Sequence, residues 1–224
     1  MIKAVIFDMD GVLVDSEPFH VEIEKRQFTL NNVPVTREEQ QQYMGVAAEV
    51  MWRTLSERYS INRSVEELIE QNRAESIRFF SEVDEIPLMP GVVELLEVLR
   101  ANNYPLAVAS SSFPEVIDLV LERTGIRNYF QEVVSSQEAG KSKPEPDVFL
   151  LAAKRLGVEP RNCLVVEDSA NGIKAAHSAN MICVAYQGEG VDPQTQNAAD
   201  AIISSYHQLV TMVLSQDFPL LNER

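Results

Sequence analysis

The sequence predicts an α/β fold, a doubly wound, mostly parallel sheet of Rossmann-like type with an all-helical cap inserted after the first strand. Three observations carry this. Short apolar, β-branched runs recur and stop abruptly at polar residues, helical patterns lie between them, and residues 16–86 break the alternation. The first run, residues 3–7, ends at Asp8 and reads as a buried strand. Comparable runs cover residues 106–109, 133–135, 164–166, 182–185 and 201–203. Between them, apolar residues at helical spacing follow Pro90-Gly91, Pro114 and Pro146, where a proline near the helix start loses little by lacking its N–H.

Residues 16–86 hold no convincing strand and contain amphipathic runs near residues 21–28, 50–55 and 68–80. The expected division is a core of residues 1–15 plus 87–224 and a helical cap of residues 16–86, rejoined through a linker holding two prolines, Pro87 and Pro90. Ligands of open α/β sheets sit beyond the carboxyl ends of the strands. An insertion leaving directly after the first strand therefore lies over the site as a lid. Trp52 and Phe79-Phe80 within it read as helix-packing residues.

Composition narrows the function. With 34 acidic against 19 basic side chains and a formal charge of −15, no basic surplus exists to neutralise nucleic-acid phosphates or to hold an anionic membrane surface. Neither a signal h-region nor a membrane span is visible, so a cytoplasmic monomer acting on a small molecule is expected. Cys163 and Cys183 lie in strand-like runs and read as buried thiols.

Four segments carry chemistry. Asp8, Asp10 and Asp15 crowd the loop after the first strand, where carboxylates feeding out of apolar core repel one another unless a cation sits among them. Glu167-Asp168-Ser169 ends another apolar run, so both clusters can converge on one hard cation, for which Mg²⁺ is the fitting ion; helix capping by Asp168 or Ser169 is the competing use. Ser110-Ser111-Ser112 precedes a helix start and offers hydroxyls and N–H groups to an anion. Lys141 and Lys143 lie in a proline-fixed loop; a lysine held near the carboxylates would offset their charge and bind phosphate.

In this order, Phe7-Asp8-Met9-Asp10-Gly11-Val12, the strand end at Ser110, Lys143-Pro144 and Glu167-Asp168-Ser169 resemble the four motifs of the haloacid dehalogenase superfamily. The inserted helices resemble its α-helical cap type. Asp15-Ser16-Glu17, His20 and Gly172-Ile173 point to its β-phosphoglucomutase and sugar-phosphate phosphatase branch. The resemblance implies that Asp8 is a nucleophile forming an aspartyl-phosphate, that Asp10 is the acid and then the base, that Ser110 binds the phosphoryl group and that Lys143 balances charge. It implies Mg²⁺ held by Asp8, by the Asp10 backbone carbonyl and by Asp168, with Glu167 in direct contact or one step removed. It also places His20, Ser111 and Gly45, within Met44-Gly45-Val46, against substrate.

The implied reaction is hydrolysis of a small phosphorylated metabolite, a sugar phosphate by preference. The rivals are β-phosphoglucomutase and a non-catalytic binding protein on the same fold. The mutase needs a cation in the cap for a second phosphate. Here Gly45 is followed by Val46-Ala47-Ala48-Glu49 with no arginine, and Glu24 stands where that relative has tryptophan. Arg53, Arg73 and Arg78 remain open as substitutes.

Overall fold

The structure is a computed structural model describing residues 1–43, 46–188 and 193–218. In chain order it holds β1 (Ala4–Phe7), α1 (Glu17–Leu30), α2 (Arg37–Gln41), α3 (Ala48–Tyr59), α4 (Val65–Glu82), α5 (Val92–Ala101), β2 (Leu106–Ser110) and α6 (Pro114–Arg123). There follow β3 (Glu132–Ser135), α7 (Ser136–Ala139), α8 (Asp147–Leu156), β4 (Cys163–Glu167), α9 (Ala170–Ser178), β5 (Ile182–Tyr186), β6 (Ala201–Ile203) and α10 (Tyr206–Ser215). The strands form one six-stranded sheet in the order β3-β2-β1-β4-β5-β6, and every ladder is parallel.

Strand alternation divides the core. Val5, Phe7, Val108 and Val166 face one layer with Leu95, Ile117 and Leu209 from α5, α6 and α10. Ala4, Ile6, Ala107 and Val165 face the other, with Phe149 and Ala152 of α8 and Ile173 and Ala176 of α9. Cys163 and Cys183 are buried thiols in β4 and β5. Two strands run one residue beyond the apolar pattern, because Ser110 pairs with Ser135 and Glu167 with Ala185 on the last rung of their ladders. The polar residue that ends each apolar run is thus still held by the sheet, which fixes where its side chain emerges.

Among the described residues, four helices, α1 to α4, lie between β1 and α5. They have a core of their own, in which Trp52 is fully buried and meets the Phe28 ring edge-on at 5.7 Å. A capping box starts α4, with Ser64 and Glu67 satisfying each other's backbone N–H groups. The same helix is tied to the sheet domain, since Arg73 pairs with Glu115 of α6 and Arg123 donates to the Phe80 carbonyl at 2.6 Å. No helix among the described residues is long and apolar enough to cross a membrane.

Candidate active site

The strand order reverses at β1, whose neighbours are β2 and β4, and the crevice beyond the carboxyl ends of such strands is where open α/β sheets bind ligands. A cavity of about 560 Å³ opens there. Asp8 just past β1, Lys143, Glu167 at the end of β4 and Asp168 just past it form its floor, while α1 and α4 contribute the opposite wall.

Lys143 organises the floor. Its ammonium donates to Asp8 Oδ1 and to Glu167 Oε1, each at 2.7 Å, and lies 4.9 Å from the centre of the Phe149 ring. Burial opposes the lysine charge, but Asp8 and Glu167 outweigh it and raise its pKa. The other oxygen of Glu167 accepts from the N–H groups of Asp168 and Ser169, each at 2.8 Å, and from the Ser169 hydroxyl at 3.0 Å. Glu167 is therefore a fully engaged carboxylate that holds the lysine in place.

Asp8, Glu167 and Asp168 offer carboxylate oxygens within 4.8 Å of one another. One ammonium does not balance three such groups. Burial pushes Asp8 up to about 7, with Lys143 pulling it down and Glu167 and Asp10 pushing it further up. Burial, then Glu167 and Asp8, raise Asp168 well above the usual carboxylate range. All three donors are hard oxygens, and the charge deficit is one a divalent cation makes good, so the residues fit such an ion.

Two glycines make room for these carboxylates. Gly11 has a positive φ of +71°, and a Cβ there would lie 2.2 Å from Asp168 Oδ2. At Gly172, in the first turns of α9, an added Cβ would lie 1.7 Å from Glu167 Oε1. Ser169, rather than Asp168, caps α9 by accepting from the Gly172 N–H at 3.0 Å, which leaves the Asp168 carboxylate to the cavity.

Asp10 turns toward the helical insertion. Its Oδ1 accepts from the Ser16 hydroxyl at 2.5 Å and pairs with His20 Nε2 at 2.8 Å; its Oδ2 accepts from Ser112 Oγ at 2.8 Å. Burial works against its charge, but His20 and the hydroxyl donors prevail and lower its pKa to about 2. His20 likewise resists charge through burial, yet Asp10 raises it to about 9. At neutral pH the two form a carboxylate–imidazolium pair.

The remaining expected site residues fall as follows. Ser110 is fully buried; its hydroxyl accepts from the Ser112 N–H at 3.0 Å and sits 3.5 Å from Asp10 Oδ2. Ser111 and Ser112 line the cavity, whereas Ser110 lies behind them. Gly45 is outside the described residues. Asn72 and Ser76, for which the sequence gives no signal, also line the cavity. So do Glu17 and Glu24, which the sequence marked only as part of Asp15-Ser16-Glu17 and as the residue standing where a relative has tryptophan. Ser16 occupies the N-cap position of α1 without capping it, because its hydroxyl goes to Asp10.

The sequence profile of haloacid dehalogenase-like hydrolases matches residues 2–180. The chain belongs to this family. Among relatives of the same hydrolase family, the phosphorylated carbohydrates phosphatase of Thermotoga maritima is 35% identical over 180 residues, 80% of this chain and 82% of that one. The β-phosphoglucomutase of Bacillus subtilis is 30% identical over 222 residues, 97% of this chain and 96% of its own. The crystal structure of a β-phosphoglucomutase from Clostridium difficile superposes with a TM-score of 0.84 at 25% identity, over 96% of both chains. Haloacid dehalogenase-like hydrolases are thus matched in sequence and in the six-stranded parallel fold.

Proposed function

We propose that the protein is a Mg²⁺-dependent phosphatase that hydrolyses a small phosphorylated metabolite of the sugar-phosphate class through an aspartyl-phosphate. The observation that carries this reading is the pair of 2.7 Å contacts from Lys143 to Asp8 and Glu167 inside the three-carboxylate cluster. That arrangement suits a carboxylate nucleophile whose attack on a phosphate dianion requires neutralised charge. Asp8, Asp168 and the Asp10 carbonyl would hold Mg²⁺, with Glu167 fixing Lys143 beside them. The ion supplies charge neutralisation for the phosphoryl oxygens.

Asp8 attacks phosphorus as the ester P–O bond breaks. The leaving alkoxide is too basic to depart unprotonated, and the Asp10–His20 pair holds one proton at 2.8 Å separation. Asp10 passes that proton to the leaving oxygen, then takes one from the water that attacks the aspartyl-phosphate. Phosphate leaves and Asp8 is regenerated. Lys143 stays protonated throughout and offsets charge on the phosphoryl oxygens; the Ser111 hydroxyl is at hand for the same oxygens, while Ser112 gives its hydrogen to Asp10.

The mutase reading draws on the likeness to β-phosphoglucomutase, and it needs a free cation facing the cavity. Arg53 pairs with Glu49, Arg73 with Glu70 and Glu115, and Arg78 with Glu75 and Glu82. Among the described residues, the basic side chains lining the cavity are His20 and Lys143, both already paired. Hydrolysis is the reading this favours. The test is release of inorganic phosphate from a panel of phosphorylated metabolites with Mg²⁺ and with EDTA; no Mg²⁺-dependent release from any monoester would reject it.

A further inference from the structure

Of the three carboxylates in the cluster, Asp8 and Glu167 are fixed by Lys143, each at 2.7 Å. Asp168 is placed through its main chain. Its N–H donates to Glu167 Oε2 at 2.8 Å, and its carbonyl accepts from the Gln196 amide at 2.7 Å. The same amide nitrogen donates to the Tyr186 carbonyl at 2.8 Å, where β5 ends. The two hydrogens of that NH2 group thus go to carbonyls of two chain segments.

Gln196 ends a single helical turn, Pro193–Gln196, and is wholly buried. Its Oε1 is buried with no hydrogen-bond partner among the described residues, which costs free energy. What the side chain supplies is therefore its two donors, and one of them is spent on Asp168. The other reaches a braced frame. Tyr186 stacks on Tyr206 with ring centres 4.5 Å apart, and the Tyr206 hydroxyl donates to the Val12 carbonyl in the loop after β1. The segment after β4 is in this way tied to the loop that carries Asp8 and Asp10.

We propose that Gln196 is a positioning residue for the divalent ion, holding the Asp168 peptide, and through it the carboxylate, in place before the ion arrives. This rests on the Mg²⁺ site proposed above and adds a residue to it that touches neither ion nor substrate. Carboxylate oxygens of Asp8, Glu167 and Asp168 lie within 4.8 Å of one another, and like charges at that distance push apart the member that is least restrained. Lys143 restrains the other two. With the Asp168 peptide clamped at both its N–H and its carbonyl, the cost of ordering that carboxylate falls on folding and not on ion capture. A strut that merely joined β5 to the segment after β4 would contribute equally with and without the ion.

That difference is the test. Gln196→Met keeps the length and removes both donors; Gln196→Asn keeps the amide and draws it back by one methylene. Each is made in the unsubstituted protein and in Asp168→Asn protein, and Mg²⁺ is titrated by calorimetry, with the Mg²⁺-induced shift in Tm where binding is weak. The Mg²⁺ dissociation constant is expected to rise about tenfold in either variant that folds. Where Asp168 is already asparagine, the same substitution should change it by less than about twofold, because the two residues act as a unit. Unchanged Mg²⁺ affinity in a folded variant makes Gln196 a strut of the fold and overturns the proposal. An equal loss in the Asp168→Asn background also overturns it, since the glutamine would then act elsewhere. Failure of the unsubstituted protein to bind Mg²⁺ rejects the metal site itself and the role of Gln196 with it.

Discussion

His20 Nε2 and Asp10 Oδ1 meet at 2.8 Å, joining the first helix of the insertion to the loop that follows β1. Each partner raises the other's preference for its charged form. Asp10, lowered from 3.8 to about 2, contributes stability above 3.8 that is lost as pH falls through about 2. His20, raised from 6.5 to about 9, contributes below 6.5, and that share is lost as pH rises through about 9. The pair is therefore strongest between 3.8 and 6.5. His20→Asn should cost the metal-free protein about 1–2 kcal/mol near pH 6 and clearly less near pH 10, in urea melts at both. It should also lower kcat/KM about a hundredfold, since the leaving oxygen loses the proton the pair stores. Equal destabilisation at the two pH values would remove the ion pair from the account.

Asp8→Asn should abolish turnover and leave the fold intact. The amide is nearly the same size and a poor nucleophile, and Lys143 keeps its 2.7 Å contact to Glu167. The loss should reach several orders of magnitude, as for nucleophile deletions elsewhere. Substantial phosphate release by a folded Asp8→Asn protein excludes the covalent route.

A divalent ion held as proposed would have to displace protons from Asp8, which sits at about 7, and from Asp168, which is also raised. Mg²⁺ affinity should climb between about pH 5.5 and 8, read as the Mg²⁺-induced shift in Tm. Asp168→Asn should weaken Mg²⁺ and recover partly in excess Mg²⁺. Glu167→Gln should not recover, because Glu167 holds Lys143 and two backbone N–H groups whatever the ion concentration. Full rescue of Glu167→Gln by Mg²⁺ would recast that residue as chiefly a metal ligand.

Gly172 separates helix propensity from close approach. In an unobstructed helix, glycine to alanine gains about 1 kcal/mol. Here the new Cβ would lie 1.7 Å from Glu167 Oε1, on a carboxylate pinned by four donors. Overpacking should prevail, so Gly172→Ala is expected to lose about 2–3 kcal/mol in urea melts. Phosphate release should fall with it. A gain in stability would mean that Glu167 moves aside freely.

What the sequence made legible follows from burial. Strands enclosed on both faces are continuous apolar runs, and the polar residue ending each run marks the sheet edge, so the meeting of Asp8 with Glu167 and Asp168 could be anticipated. Lys143 required the resemblance, since a loop lysine has no pattern of its own. The wall built by Glu24, Asn72 and Ser76 was not legible, because polar residues on an amphipathic helix read as its solvent face until the helix has a partner. Ser110 shows the same limit at smaller scale. Its place at the end of β2 was readable, but which of three consecutive hydroxyls faces the cavity depends on the turn, and that turn buries Ser110 and presents Ser111 and Ser112.

The choice between hydrolysis and mutase chemistry turns on what happens after the first transfer. A mutase must hold a bisphosphorylated intermediate, reorient it and keep water from the aspartyl-phosphate, which calls for a cation aimed at the nonreacting phosphate. Arg53, Arg73 and Arg78 are tied to acidic partners on their own or adjoining helices, and Glu24 adds negative charge to the wall where that phosphate would lie. On the proposed covalent route, water should therefore compete well for the intermediate. Given β-glucose 1-phosphate, Mg²⁺ and a catalytic amount of glucose bisphosphate, the enzyme should release inorganic phosphate with little glucose 6-phosphate, both followed in one time course. Glucose 6-phosphate outrunning phosphate by tenfold or so would promote the mutase, since RT ln 10 is about 1.4 kcal/mol and a preference of that size needs a site that retains the second phosphate.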